Sequence, residues 1–138
     1  MKTLFDYITE SINHKKIFVV IKPGFLDKTQ DILNIYKDEG WELESTRVKQ
    51  LTLKEAEELY KVHKKESFYK ELCEYMCSDI TRGLLFCKNT NNDEFEEATK
   101  IKNMIREKYG ESDMRNVVHS SDSMENMKRE ASIYFYMV

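Results

Sequence analysis

The run at residues 17–22, IFVVIK, places the tightest limit on what this chain can become. It is short, β-branched and aromatic, and nothing polar interrupts it before Lys22, so it reads as a strand with almost no solvent face. Such a strand lies inside a sheet and has to be covered on both sides. Pro23 and Gly24 stop it. The remaining segments supply the cover. Residues 28–38 (KTQDILNIYKD) place Ile32, Leu33, Ile35 and Tyr36 on one broad helical face, and Gly40 follows as a C-terminal cap. WELESTRVKQL (41–51) alternates as a half-exposed strand. Thr52 and Glu55 have the spacing of a capping box for a helix through residue 61. A further helix starts at Ser67 or Phe68 and carries Phe68, Leu72, Tyr75 and Met76 at helical spacing. ITRGLLFC (80–87) is a third strand and NTNND (89–93) a polar turn. A charged helix covers 94–109 and ends at Gly110. Val117 and Val118 form a short strand leading to His119. Ser121 or Asp122 caps a last helix over 123–132, and IYFYMV closes the chain as an apolar tail. Residues 1–14, mixed and polar, read as a short arm or helix.

The order β-α-β-α-α-β-α-β-α fits an α+β sandwich, a small sheet with helices packed on its faces. Antiparallel pairing within a split βαβ arrangement makes this the ferredoxin-like βαββαβ pattern, although periodicity leaves the strand order open. With 138 residues, no internal repeat and no linker, the chain is expected to be one domain over 1–138. Eight Tyr, seven Phe and 41% hydrophobic residues exclude intrinsic disorder, and four Gly with one Pro exclude a collagen-like or low-complexity chain. No apolar run approaches the ~20 residues that span a bilayer. Asp6 and Glu10 stand where a signal peptide is apolar, which points to a cytoplasmic protein. Twenty-two Lys and Arg against 25 acids give a net charge of −3, which argues against a broad, specific nucleic-acid surface. An anion site is still open, because a few cations in one cleft barely change the total. Cys73, Cys77 and Cys87 are odd in number. Cys73 and Cys77 stand one helical turn apart, yet no second Cys or His pair at ligand spacing follows for a four-coordinate zinc, so the cysteines read as free buried thiols.

The chemistry concentrates in RNVVHSSDS (115–123), where His119 follows a short apolar run. Ser121, Asp122 and Glu130 lie within eleven positions of it, and Glu130 falls on a helix face that can look back at the helix start. A reactive imidazole needs such a partner on one ring nitrogen to fix which nitrogen is free. The same pattern also suits a histidine satisfied at a helix entrance, with Ser and Asp as caps. Spacing alone leaves both open.

Asn116-Val-Val-His119-Ser-Ser121-Asp122-Ser123 resembles the N-x-x-H-G-S-D-S signature of the nucleoside diphosphate kinase family, and Arg129, Glu130, Tyr134 and Phe135 follow in the family's R-E-x-x-x-[YW]-F style. Ile21-Lys22-Pro23 is similar to the family's early I-K-P motif. Tyr60, Phe68, Leu72 and Tyr75-Met76 resemble its H-Y…F-F…L…Y-M segment. Arg106, Tyr109 and Asn116 keep its spacing, so that the resemblance covers residues 17–135. It implies a Mg²⁺-dependent, ping-pong transfer of the γ-phosphoryl of a nucleoside triphosphate to a nucleoside diphosphate, with His119 as the nucleophile. Glu130 and Ser121 would hold the imidazole tautomer. Lys22 and Arg106 would bind phosphates, Tyr60 would sit beside nucleophile and phosphate, Asn116 would contact the sugar hydroxyl, and Phe68 would stack on the base. Magnesium would arrive on the nucleotide phosphates rather than on protein ligands. The resemblance also implies a homo-oligomer, a dimer or larger; an alternating strand at 41–51 could be an exposed edge in need of a partner.

The departures from the family pattern are specific. Its K-P-D-[GA] reads Lys22-Pro23-Gly24-Phe25 here, its Gly after the active-site His is Ser120, and Glu66-Ser67 stand where many members carry Arg-Pro. The segment 88–105 is shortened and contains no Arg, where the family places a second phosphate-binding Arg and a loop that packs between subunits. Lys88, Lys100 or Lys102 is left to take that Arg's place. Lys is a point charge without the guanidinium fork, so the exchange is not neutral. The alternative to an active kinase is therefore a catalytically weak or inactive kinase-like module that binds nucleotide or another protein.

Overall fold

A computed structural model describes residue 1, residues 3–5 and residues 13–135. Four strands, β1 (His14–Ile21), β2 (Glu42–Lys49), β3 (Thr81–Asn89) and β4 (Val118–Ser120), form one sheet of order β2-β3-β1-β4 in which every neighbouring pair is antiparallel. The helices are α1 (Thr29–Asp38), α2 (Leu53–Leu59), α3 (Tyr69–Met76), α4 (Glu94–Tyr109) and α5 (Met124–Ala131). The crossovers β1-α1-β2 and β3-α4-β4 are the two split βαβ halves of a ferredoxin-like α+β fold. The pair α2 and α3 is inserted between β2 and β3, and α5 follows β4.

Ile17 through Ile21 are completely buried, so β1 has no solvent face over that stretch. Ile17, Val19 and Ile21 point to one side and pack with Ile32, Tyr36, Trp41, Ile101 and Ile105. Phe18 and Val20 point to the other and pack with Ala56, Leu59, Leu72, Met76, Met127 and Tyr134. Each such side chain contributes about 1.5–3 kcal/mol by leaving water. The helices thus fall into two layers, α1 and α4 on one face, α2, α3 and α5 on the other.

Several boundaries differ from those expected of the sequence. β1 begins at His14, because the antiparallel ladder pairs His14, Lys15 and Lys16 with Asn89, Lys88 and Cys87 without needing apolar side chains. The expected arm or helix at 1–14 thus loses His14 to β1, and residues 2 and 6–12 lie outside the described residues. β2 excludes Trp41 and Leu51, which are buried just beyond its ends, while the strand itself is mostly exposed. The capping box is formed: Glu55 N–H donates to Thr52 Oγ1 (3.1 Å) and Thr52 N–H to Glu55 Oε1 (3.0 Å). Its helix ends at Leu59 rather than 61, and a 3₁₀ turn, Lys61–His63, takes over. β4 is Val118–Ser120 rather than 117–118, so the strand carries His119 instead of leading to it. Ser123, not Ser121 or Asp122, caps α5, its hydroxyl accepting from Asn126 N–H (3.1 Å). Of the cysteines only Cys73 is buried; Cys77 and Cys87 are half-buried, and all three are unpaired.

Gly83 in the middle of β3 lets the Tyr134 ring pack directly against the strand, since a Cβ there would stand 2.7 Å from the ring. Tyr134 is buried and its hydroxyl shares a hydrogen bond with Thr81 Oγ1. Gly83→Ala therefore overpacks this contact and is expected to destabilise the fold by about 1–3 kcal/mol. Urea unfolding checks it: the midpoint falls while the slope is unchanged.

Candidate active site

The site is built where β1 ends. Val20 pairs with His119 and Ile21 with Val118, so β4 hangs on the last residues of β1 and carries His119 to the level of Lys22. Lys22 N–H donates to Val117 O (2.8 Å). Val118 N–H bonds back to Asn116 O at 3.0 Å around Val117, whose φ is +81°. This is a γ-turn of positive φ on a β-branched residue, a conformation that costs on the order of 1–3 kcal/mol and persists only where its surroundings impose it. Here they do: Val117 and Val118 are buried in the core.

Lys22 is only 3% exposed. Its ammonium donates to Asn116 Oδ1 (2.7 Å) and Met114 O (3.3 Å) and lies 5.9 Å from the centre of the Tyr60 ring. Burial, then the nearby Arg106 and Lys102, push its pKa down to about 7. Lys22 thus holds its proton less firmly than an exposed lysine, and an anion beside it favours the charged form. Gly24 just beyond has φ +88° and backs onto the Arg115 guanidinium, where a Cβ would come within 2.8 Å. The positive φ strains any side chain at this position.

His119 is held from α5. Its Nε2–H donates to Glu130 Oε1, and Glu130 is itself 3% exposed. A proton on Nε2 leaves the lone pair on Nδ1. Tyr60, at the end of α2, meets the imidazole edge-on at 5.0 Å, and its buried hydroxyl has no partner among the described residues. Burial raises the Tyr60 phenol well above its ordinary value, so it is a neutral donor. Arg106 on α4 donates from Nη2 (2.8 Å) and Nε (3.3 Å) to Val118 O, next to the histidine. Lys102, one turn earlier on the same helix, shares the cleft, and burial and Arg106 lower its pKa too.

These groups line one cleft of about 610 Å³. Lys22, Tyr60, Phe68, Arg106, Asn116, His119 and Glu130, all expected from the sequence, are brought together there. Ser121 is not: it is buried beside β1, its N–H bonded to Phe18 O, and its hydroxyl reaches no partner among the described residues. The ring is thus held by Glu130, with no bond from Ser121. Asn116 is tied at both ends of its amide, to Lys22 and, through Nδ2, to Asp113 O (2.8 Å). Of the three lysines considered for the missing Arg, Lys102 lines the cleft. Lys88 is engaged with Glu97 (2.7 Å) and Glu39 O, and Lys100 is exposed elsewhere on α4. His63 was not foreseen; the 3₁₀ turn brings it to the cleft mouth, 5.7 Å from the Phe68 ring. With Val62 and the half-exposed Phe68 it makes an aromatic and apolar lip. A lone-pair nitrogen beside three cations and such a lip suits covalent capture of a phosphoryl group from a ligand with an aromatic end.

Comparison with known proteins agrees. The family model described as nucleoside diphosphate kinase matches residues 15–137. A nucleoside diphosphate kinase of Campylobacter lari is 36% identical over 130 residues, covering 88% of this chain and 95% of that protein. One from Chlamydia muridarum is 35% identical over 125 residues, covering 84% and 89%. Among solved structures, the Aquifex aeolicus nucleoside diphosphate kinase aligns with a TM-score of 0.73 at 25% identity, covering 88% of this chain and 95% of that one. The Encephalitozoon cuniculi enzyme shares the fold with a TM-score of 0.79 at 21% identity, covering 88% of each. By its sequence, its fold and the residues gathered in its cleft, this chain belongs to the nucleoside diphosphate kinase family.

Proposed function

We propose that the chain transfers the γ-phosphoryl of a nucleoside triphosphate to a nucleoside diphosphate through a phosphohistidine on His119. The observation that carries this reading is the Nε2–H bond from His119 to a buried Glu130 inside a cleft lined by Lys22, Lys102 and Arg106. The Nδ1 lone pair attacks the γ-phosphorus, and the bridging P–O bond breaks with its electron pair leaving on the diphosphate. Positive charge on the ring is met by Glu130, which keeps the Nε2 proton in place. An incoming diphosphate oxygen then attacks the phosphorus and the N–P bond breaks, returning the lone pair to Nδ1.

Catalysis of phosphoryl transfer is mostly positioning and charge. Arg106, Lys102 and Lys22 face the phosphates, with Lys102 in the place of the family's second Arg. The unpartnered Tyr60 hydroxyl is a further donor toward them. Phe68 stacks on the base, which admits any base because stacking ignores its edges. Asn116 holds Lys22 and meets the sugar hydroxyl beside it. The residues present fit a magnesium ion carried on the nucleotide: cations line the cleft, and the one cluster of potential metal ligands among the described residues is elsewhere. Asp113 and Asp122, both at the cleft wall, are acids available to such an ion through water. When bound, magnesium neutralises phosphate charge.

We also propose a homo-oligomer, dimer or larger, and a cytoplasmic location. β2 supports the first, as an edge strand with Leu43 and Val48 exposed on it. A single monomeric species in sedimentation at micromolar concentration would contradict it. No helix among the described residues is long and apolar enough to cross a membrane.

The transfer is tested with Mg²⁺ and γ-labelled ATP. Wild type is expected to carry an acid-labile, base-stable label that GDP discharges, and His119→Ala to carry none. Glu130→Gln is expected to slow labelling by on the order of 10²-fold, through loss of control over the tautomer. A folded, nucleotide-binding wild type that takes no label would leave the chain a binding module on this scaffold.

A further inference from the structure

At the opposite end of β1 from Lys22, three potential metal ligands of different chemistry converge from three neighbouring strands. His14 opens β1, Glu44 lies in β2 and Cys87 in β3, and their ligand atoms all lie within 4.8 Å of one another. The ladder explains the meeting. Cys87 stands opposite both Lys16 and Glu42, so it shares a face with His14, two residues before Lys16. Glu44 is the extra residue of a bulge between Leu43 and Ser45, which frees it from a ladder partner of its own.

We propose that His14, Glu44 and Cys87 form a zinc-binding site, with water as the fourth ligand. One nitrogen, one sulfur and one oxygen donor suit zinc and not the oxygen-seeking magnesium or calcium. Thiolate and carboxylate together also neutralise the ion. Tetrahedral donors stand roughly 3.3–3.8 Å apart at bond lengths of about 2.0–2.3 Å, so side-chain rotations of about an ångström close the set. The surroundings fit. His14 Nδ1 is 3.2 Å from Asn89 Oδ1, the residue directly opposite it, which provides the outer hydrogen bond that orients a ligating imidazole. Lys16 occupies only Oε2 of Glu44 (3.0 Å), leaving the other oxygen. Glu42, directly opposite Cys87 in the ladder, adds a second carboxylate beside the site that attracts a cation. His14 and Glu44 are exposed and Cys87 is half-buried, so the ion has an open way in.

The test is a titration of the reduced protein with Co²⁺ under argon, followed by Zn²⁺. Wild type is expected to develop a thiolate-to-cobalt charge-transfer band with the visible bands of tetrahedral cobalt, both bleached by one equivalent of zinc. Cys87→Ser loses the charge-transfer band, and His14→Ala and Glu44→Gln each weaken zinc binding about tenfold or more. All three variants keep the unfolding midpoint of the metal-free protein and its phosphoryl transfer, since none touches the cleft. No thiolate band in wild type overturns the proposal. So does a band that survives Cys87→Ser, which would place the metal on Cys73 or Cys77, or zinc affinity unchanged in His14→Ala.

Discussion

β1 is buried on both faces, and the rest of the molecule is arranged around that fact. A strand with no wet side needs a neighbour on each edge and a helical layer on each face, which the two split βαβ halves and the inserted helices provide. The same ladder sets the chemistry. Because β4 pairs only with the last residues of β1, His119 is fixed opposite Val20, beside the point where the chain emerges as Lys22. The positive φ at Val117 is tolerated because both its neighbours along the chain are anchored, Asn116 by Lys22 and Val118 by Ile21 and Arg106.

Charge in the cleft is deliberately unbalanced. Among the described residues Lys22 and Arg106 are met by neutral oxygens, an amide and backbone carbonyls, rather than by carboxylates. Glu130, the buried acid, is committed to His119. Burial first, and then the neighbouring cations, lower the affinity of Lys22 and Lys102 for protons, with Asp122 partly offsetting this at Lys102. An arriving polyphosphate removes that strain, so binding energy is available in the place where charge develops during transfer. Lys102, which lines the same cleft, adds to this field as a point charge without a guanidinium's bidentate geometry.

Much of this was legible in the sequence because it rests on local rules. The IFVVIK run, the Thr52 and Glu55 spacing and the apolar faces of the helices each specify an element without tertiary help. The family-like motifs placed all but one of the expected site residues at the cleft. What was not legible depends on distant partners. Ser121 looked like a companion of His119, yet the extension of β4 along Phe18 turns it inward. The cap of α5 moved to Ser123 because Ser121 is tied to β1 as that extension. His63 carried no signal, since the 3₁₀ turn that delivers it replaces a helical turn with the same local pattern. The meeting of His14, Glu44 and Cys87 depends on a bulge and a register that no periodicity reveals.

The central claim is that Glu130 fixes His119 as the Nε2–H tautomer, so that Nδ1 is the reacting nitrogen. Long-range proton–nitrogen correlation NMR on protein with ¹⁵N-labelled histidine reads this directly, before and after phosphorylation. The expected result is a protonated Nε2 and a bare Nδ1 in the resting protein, with phosphorus coupling on Nδ1 after ATP is added. A resting Nδ1–H tautomer, or a phosphoryl group found on Nε2, would contradict it.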